Sequence, residues 1–167
     1  VEDVRSWSYM KFPYIKSLGP DEGWYRVGPL ARMNTASVID TPLANAARDE
    51  LMETNHHLPQ HAVLANHWAR MIEVVHCVEK IRELLGDPDL QGTDLVATGD
   101  RRSSGIGVIE APRGNLIHHY EVDENDLVSK ANLIVATTNN NEAMNEVIRK
   151  VASDKLSGEE ITEPLLN

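Results

Sequence analysis

Residues 105–141 read GIGVIEAPRGNLIHHYEVDENDLVSKANLIVATTNNN, and this stretch decides the fold. Ile106 and Val108 alternate with Gly105 and Gly107, Leu116, His118, Tyr120 and Val122 alternate with more polar neighbours, and residues 127–135 make a third extended run. A period of two belongs to strands, so the stretch predicts three strands in a meander. Its first turn is Ala111-Pro112-Arg113-Gly114. Proline supplies the fixed φ of the second turn position and glycine is the preferred residue at the fourth. Arg113 is therefore held at a tight bend. A guanidinium fixed in this way offers a planar fork of donors that stays charged at ordinary pH, which suits an anion or a strongly polarised ligand. An arginine on a Pro-Arg-Gly turn is otherwise a solvated surface residue.

Working upstream, residues 86–104 are rich in Gly, Asp, Thr and Ser and predict a connecting loop that could carry contacts to another subunit. Before it, Leu64, Trp68, Met71, Val75, Val78 and Leu85 recur at helical spacing and predict the longest helix of the chain, from Pro59 to Leu85. This stripe is expected to face a core or a partner helix, with His67, Trp68 and His76 as packing residues and Cys77 as a small buried hydrophobe. Gly86 is expected to end the helix in the left-handed cap position, with Pro88 preventing continuation. His57 and His61 are four apart, but Pro59 lies between them and no third ligand is near in sequence, so a metal site there is not favoured. Thr41-Pro42 has the form of an N-cap followed by proline in the first turn, opening a helix to about Thr54. Gly28-Pro29 breaks structure ahead of a short helix or turn at residues 30–34, where Arg32 reads as a salt-bridge or surface residue rather than a catalytic one. Trp7, Tyr9, Phe12, Tyr14, Trp24 and Tyr25, spaced by Pro and Gly, predict loops and short strands that pack on something absent from the chain or on a neighbour. Downstream, residues 139–151 predict a helix with Ala143, Met144, Val147, Ile148 and Val151 on one face, and Ser157-Gly-Glu-Glu and Thr162-Glu-Pro are turn-like.

Composition narrows the function. The chain has 167 residues, 41% of them hydrophobic, enough for one sizeable core, so a single domain over residues 1–167 is the default. A net charge of -10 argues against a general nucleic-acid binder. A single cysteine, Cys77, excludes an intrachain disulfide and a Cys-x-x-Cys metal site. No apolar run approaches the roughly 18 residues of a membrane span, and no basic-then-apolar leader is seen, which points to the cytoplasm. The start at Val1 and the polar end at Asn167 suggest a piece of a longer protein. The expected fold class is α+β, mostly helical, with long amphipathic helices packed on a small antiparallel meander.

Three blocks carry a resemblance. Glu110-Ala-Pro-Arg-Gly114 with Leu116, His118 and Val135-Ala-Thr-Thr138, then Val27-Gly-Pro-Leu-Ala-Arg32, then His67-Trp-Ala-Arg-Met-Ile-Glu73, together resemble the large subunit of nickel-iron hydrogenases, in particular the NAD-linked bidirectional type. The resemblance covers most of the chain and implies a fragment from the C-terminal half of that subunit. In that family H2 is cleaved heterolytically at a site held by two Cys-x-x-Cys pairs, with cyanide and carbonyl ligands on the iron. None of those four thiolates lies in this chain. The resemblance makes Arg113 the arginine suspended over the metals, where it could polarise H2, and Ala136 and Thr137 the short segment that donates hydrogen bonds to a cyanide, with Pro112 beside them. Glu110 and His118 match as turn and support residues. Where the family commonly has Pro-Thr-Thr-Trp-Asn, this chain has Ala136-Thr-Thr-Asn-Asn140, which keeps the donor role of Thr137 and alters the outer wall of the pocket. The fragment is expected to be inactive alone and to hold no cofactor, the nickel-iron centre belonging to the parent subunit. Expected partners are a small subunit with an iron-sulfur cluster and diaphorase subunits. Two alternatives stand beside this reading: the cysteine-free, hydrogenase-derived quinone-site subunit of respiratory complex I, and a non-catalytic interaction module.

Overall fold

The computed structural model describes residues 1–158 and Glu163. The hairpin forms where the alternation places it. β3 (Ser104–Ala111) and β4 (Gly114–Val122) pair antiparallel with Ala111 opposite Gly114, leaving Pro112 and Arg113 as the two-residue turn. β5 (Val128–Ile134) adds to the other edge of β4, with a register shift at Glu121/Val122, so the sheet order is β3-β4-β5. Near the N-terminus, β1 (Glu2–Val4) and β2 (Lys11–Pro13) form a separate two-stranded ribbon.

The core lies among helices. After a single helical turn, α1 (Gly19–Glu22), come α2 (Pro29–Thr35), α3 (Pro42–Glu53) and α4 (Ala65–Leu84). Leu30 and Met33 of α2, Ala44 and Leu51 of α3, and Ala65, Ala69 and Ile72 of α4 form one buried cluster. Polar groups stitch the three helices together. The Glu79 carboxylate of α4 accepts the Leu43 and Ala44 N–H groups at the start of α3, at 3.1 and 3.0 Å. Thr41 makes no side-chain cap; its hydroxyl meets His76 Nδ1 at 2.9 Å instead. Arg48 of α3 is buried and donates to the last carbonyls of α2, Met33 at 3.2 Å and Ala36. Free helix-terminal N–H and C=O groups are thus satisfied by neighbouring helices rather than locally.

The architecture is α+β, as the patterning predicts, but several details differ. α4 begins at Ala65, not Pro59, and buries Ala65, Ala69 and Ile72; of the expected stripe Val75 packs against this cluster, whereas Leu64, Trp68, Met71, Val78 and Leu85 are exposed. The two alanines let α4 approach α2 and α3 closely, with Ile72 on the same face in the buried cluster. Cys77 and His67 are exposed as well. Gly86 does not take a positive φ. A short 3-10 turn at Pro88–Gln91 follows, capped by the Asp87 side chain accepting from the Asp89 N–H at 2.9 Å. His56 and His57 have left-handed φ values of 53° and 61°, so neither they nor His61 stand on a helix. Downstream, α5 (Ala136–Asn139) is one turn, and α6 (Asn141–Leu156) continues almost without a break. On α6 only Ala143 of the predicted apolar face is buried; Met144, Val147, Ile148 and Val151 remain exposed. Ser157 and Gly158 are a turn, and Thr162 and Pro164 of the second expected turn lie outside the described residues. In the N-terminal segment Phe12 is buried, with the Arg5 guanidinium 4.1 Å above its ring, and Trp7 and Tyr9 face outward.

Candidate functional site

The hairpin tip is built around a crossing of two backbones. Gly114 has φ of 133°, and a Cβ there would collide with the Val27 side chain and stand 3.3 Å from the Gly28 nitrogen. Gly28 has φ of 115°, and a Cβ on it would stand 3.2 Å from the Arg113 carbonyl oxygen. Both conformations are strained for any L side chain. Two glycines therefore let Val27-Gly28 lie directly against Arg113-Gly114.

Arg32, one turn into α2, holds the same tip. Its Nε donates to Glu73 Oε1 at 2.5 Å and its Nη2 to Glu73 Oε2 at 2.8 Å, a bidentate pair with α4. Nη1 donates to Glu110 Oε1 and to the Ala111 carbonyl at 3.0 Å, and Nη2 also donates to the Pro112 carbonyl at 2.8 Å. The hydrogen bond to Glu73 is the largest influence raising the Arg32 pKa above its ordinary value; desolvation opposes it and Glu110 adds to it. Arg32 is thus the ion-pairing residue the sequence predicts, and its partners include the main chain of the turn.

A second segment, α5, hangs from three consecutive asparagines. Asn139 is buried; its Oδ1 accepts from the Tyr25 hydroxyl at 2.6 Å and its Nδ2 donates to the Asn115 and Val135 carbonyls at 3.0 and 3.2 Å. Desolvation, and then the Glu2 charge, push the Tyr25 phenol pKa up, which keeps it a donor. Asn140 brackets Val27, accepting its N–H at 2.8 Å and donating to its carbonyl at 3.2 Å. Asn141 donates to the Lys11 carbonyl at 2.8 Å. These bonds fix α5, and with it Ala136 and Thr137, against β2, β4 and the Val27 segment.

The candidate residues fall on this frame as follows. Arg113 is exposed, and its side chain makes no hydrogen bond or ion pair among the described residues. Pro112 is exposed with its carbonyl tied to Arg32. Ala136 is buried, and Thr137 is exposed, lining an open hollow of about 350 Å³ with Tyr9, Met10, Lys11, Thr138 and Asn141. Arg113 does not line that hollow; it is linked to the Thr137 side through Val27-Gly28, which touches the hairpin tip on one flank and Asn140 on the other. His118 stacks edge-on against Tyr120 at 5.8 Å between ring centroids, a supporting contact within its own strand. Among the described residues no group of three or more His, Cys, Asp or Glu gathers as a metal site, and His61 instead meets Arg26 at 3.0 Å. The chemistry this surface can offer is hydrogen-bond donation to a polarised acceptor. The sequence reading missed the Arg32 contacts to Ala111 and Pro112 and the three asparagines. The signals were present: Arg32 and Glu73 stand in two of the quoted blocks with opposite charge, and a run of three Asn is an unusual density of two-way hydrogen-bonding groups.

A family model for nickel-dependent hydrogenases matches residues 2–164. The NAD-reducing hydrogenase HoxS subunit beta of Cupriavidus necator is 48% identical over 99% of this chain and 35% of its own length. The iron-sulfur subunit of an F420-non-reducing hydrogenase from Archaeoglobus profundus is 43% identical over 99% of this chain and 36% of its own length. A crystal structure of an NAD+-reducing [NiFe]-hydrogenase in the H2-reduced state superposes with a TM-score of 0.89 at 51% identity, covering 99% of this chain and 37% of that one. The chain therefore spans about a third of the length of the curated relatives it matches. A match over nearly the whole chain, in sequence and in fold, places this chain in the nickel-dependent hydrogenase family.

Proposed function

We propose that this chain is part of the large, catalytic subunit of an NAD-linked nickel-iron hydrogenase, from that subunit's C-terminal half, and that it supplies outer donors to the metal centre. The observation that carries the reading is Arg113: an exposed guanidinium without a protein partner among the described residues, on a turn that two glycines and Arg32 hold in place. A donor whose backbone is held in place while its own hydrogen bonds go unmet is what a bound acceptor would need. The relatives favour the hydrogenase over the quinone-site alternative, because each of those named above is a hydrogenase.

The donor set suits the surroundings of a nickel-iron centre, since Arg113 offers a guanidinium at the hairpin tip and Thr137 a hydroxyl on the α5 side, two surfaces joined through Val27-Gly28. When bound, that centre supplies the heterolytic cleavage of H2. Arg113, with Pro112 setting its backbone, donates charge-assisted hydrogen bonds that orient and polarise what faces it. Ala136 and Thr137 offer N–H and O–H donors to a cyanide on the iron. The chain alone is inactive and binds neither metal tightly. In the parent complex, electrons pass to a small subunit with an iron-sulfur cluster and on to diaphorase subunits where NAD binds, in the cytoplasm. Among the described residues no helix is long and apolar enough to cross a membrane.

The test is Arg113→Lys in the complete hydrogenase. Loss of the planar fork should reduce H2 oxidation roughly a hundredfold, the scale of one preorganised donor, while nickel content is unchanged. Near-normal H2 oxidation rejects the role.

A further inference from the structure

We propose that Arg32 is a positioning residue for Arg113, an inference that rests on the reading of Arg113 given above. A guanidinium has five N–H donors. In Arg32 each has its own acceptor: both Glu73 oxygens, Glu110 Oε1, and the carbonyls of Ala111 and Pro112. Two of the five go to the peptide groups that immediately precede Arg113. The Pro112 carbonyl belongs to the peptide plane whose nitrogen is that of Arg113, so fixing this oxygen fixes the direction in which the Arg113 Cα leaves the turn. The Ala111 carbonyl fixes the plane before it, and the Gly28 backbone closes the other side of the Arg113 residue.

Glu73 and Glu110 have distinct parts in this arrangement. Glu73 grips Arg32 through two parallel bonds from α4, orienting the fork with respect to the helical core. Glu110 is on β3, in register with Asn115 of β4, and ties the same fork to the hairpin just before its turn. Arg32 thus transmits the position of α2 and α4 to the tip of a sheet whose strand β3 is otherwise exposed. Lysine carries three donors on a point charge and cannot occupy five separated acceptors. Substitution leaves at least two of the five unmet, which loosens the link between the helices and the turn.

The experiment is a double-mutant cycle in the complete hydrogenase complex, comparing wild type, Arg32→Lys, Arg113→Lys and the double variant by H2 oxidation rate and nickel content. Amide hydrogen exchange across residues 108–118 is measured in parallel. Arg32→Lys is expected to lower the rate about ten- to a hundredfold, the scale of an ångström-sized misplacement, with nickel retained and exchange at Gly114 accelerated. In the Arg113→Lys background the same change should cost less than about twofold, because the group it positions is already gone. Equal losses in both backgrounds, or unchanged exchange at the turn, overturn the proposal. Should Arg32→Lys lose its nickel, Glu110→Ala serves, since it removes the Oε1 acceptor and leaves the Glu73 pair intact; exchange at the turn must then rise, and unchanged exchange overturns the proposal equally. A near-normal rate for Arg113→Lys alone refutes the parent reading instead, and the two failures are told apart by that single variant.

Discussion

At Gly114 a change of one methyl group is enough to test the frame. Its φ of 133° belongs to glycine, and an added Cβ would run into the Val27 side chain. Gly114→Ala should therefore destabilise the subunit by about 2–3 kcal/mol, combining backbone strain with displacement of Val27. The measurement is the thermal unfolding midpoint of the assembled subunit, and an unchanged midpoint would show that the two backbones do not meet as described. Gly114 was legible beforehand only as the closing residue of a turn; nothing in a single sequence announces that Val27, 87 positions away, lies against it. Arg32 shows the same limit from the other side. Its charge and its block were visible, but which carbonyls it reaches is a property of the fold.

At the scale of elements, helix ends are completed by other helices. Glu79 gives the clearest pH consequence. Desolvation pushes its pKa up, but the N–H groups of Ala44 and Leu43, the Thr41 hydroxyl and the His76 charge outweigh it, so the folded value lies below the ordinary carboxylate range. A depressed folded pKa means that the contribution is complete above the unfolded value, near about 4.3, and is lost as pH falls through the folded value. The thermal midpoint should fall over that acidic window, and Glu79→Gln should flatten the fall; an identical pH slope in the variant would clear Glu79 of any part in it. Elements themselves were well predicted where periodicity is strong: the hairpin, the third strand, α3 and α4 all lie near their expected positions. The buried face of α4 was not. Hydropathy gives weight to Trp68, Met71 and Val78, whereas the helices meet through Ala65 and Ala69, whose small size is the reason they can.

The whole molecule leaves much apolar surface open. Val78 is 62% exposed, Ile106 69% and Ile148 66%, on three different elements. Scattered apolar residues need no explanation, but continuous faces on α4, β3 and α6 do. A chain spanning about a third of its relatives' length has a ready one under the proposed function: the remainder of the parent subunit would cover these faces. Expressed alone, the 167-residue chain should self-associate and bind an apolar-surface dye, and co-expression with the remaining segments should suppress both. Light scattering that finds a dispersed monomer without dye binding would count against that view.

The crossing of Gly28 and Gly114 carries a last consequence, for evolvability. Most sites are retuned by exchanging side chains behind the reactive group, which shift it by fractions of an ångström. Here main chain rests on main chain, and the side chains that bear on it are few: Val27 at the crossing, and Arg32 with its two glutamates behind the turn. Natural variation that moves this surface therefore has few routes, residue 113 itself or the handful of side chains that hold its turn, and the two glycines are closed to it.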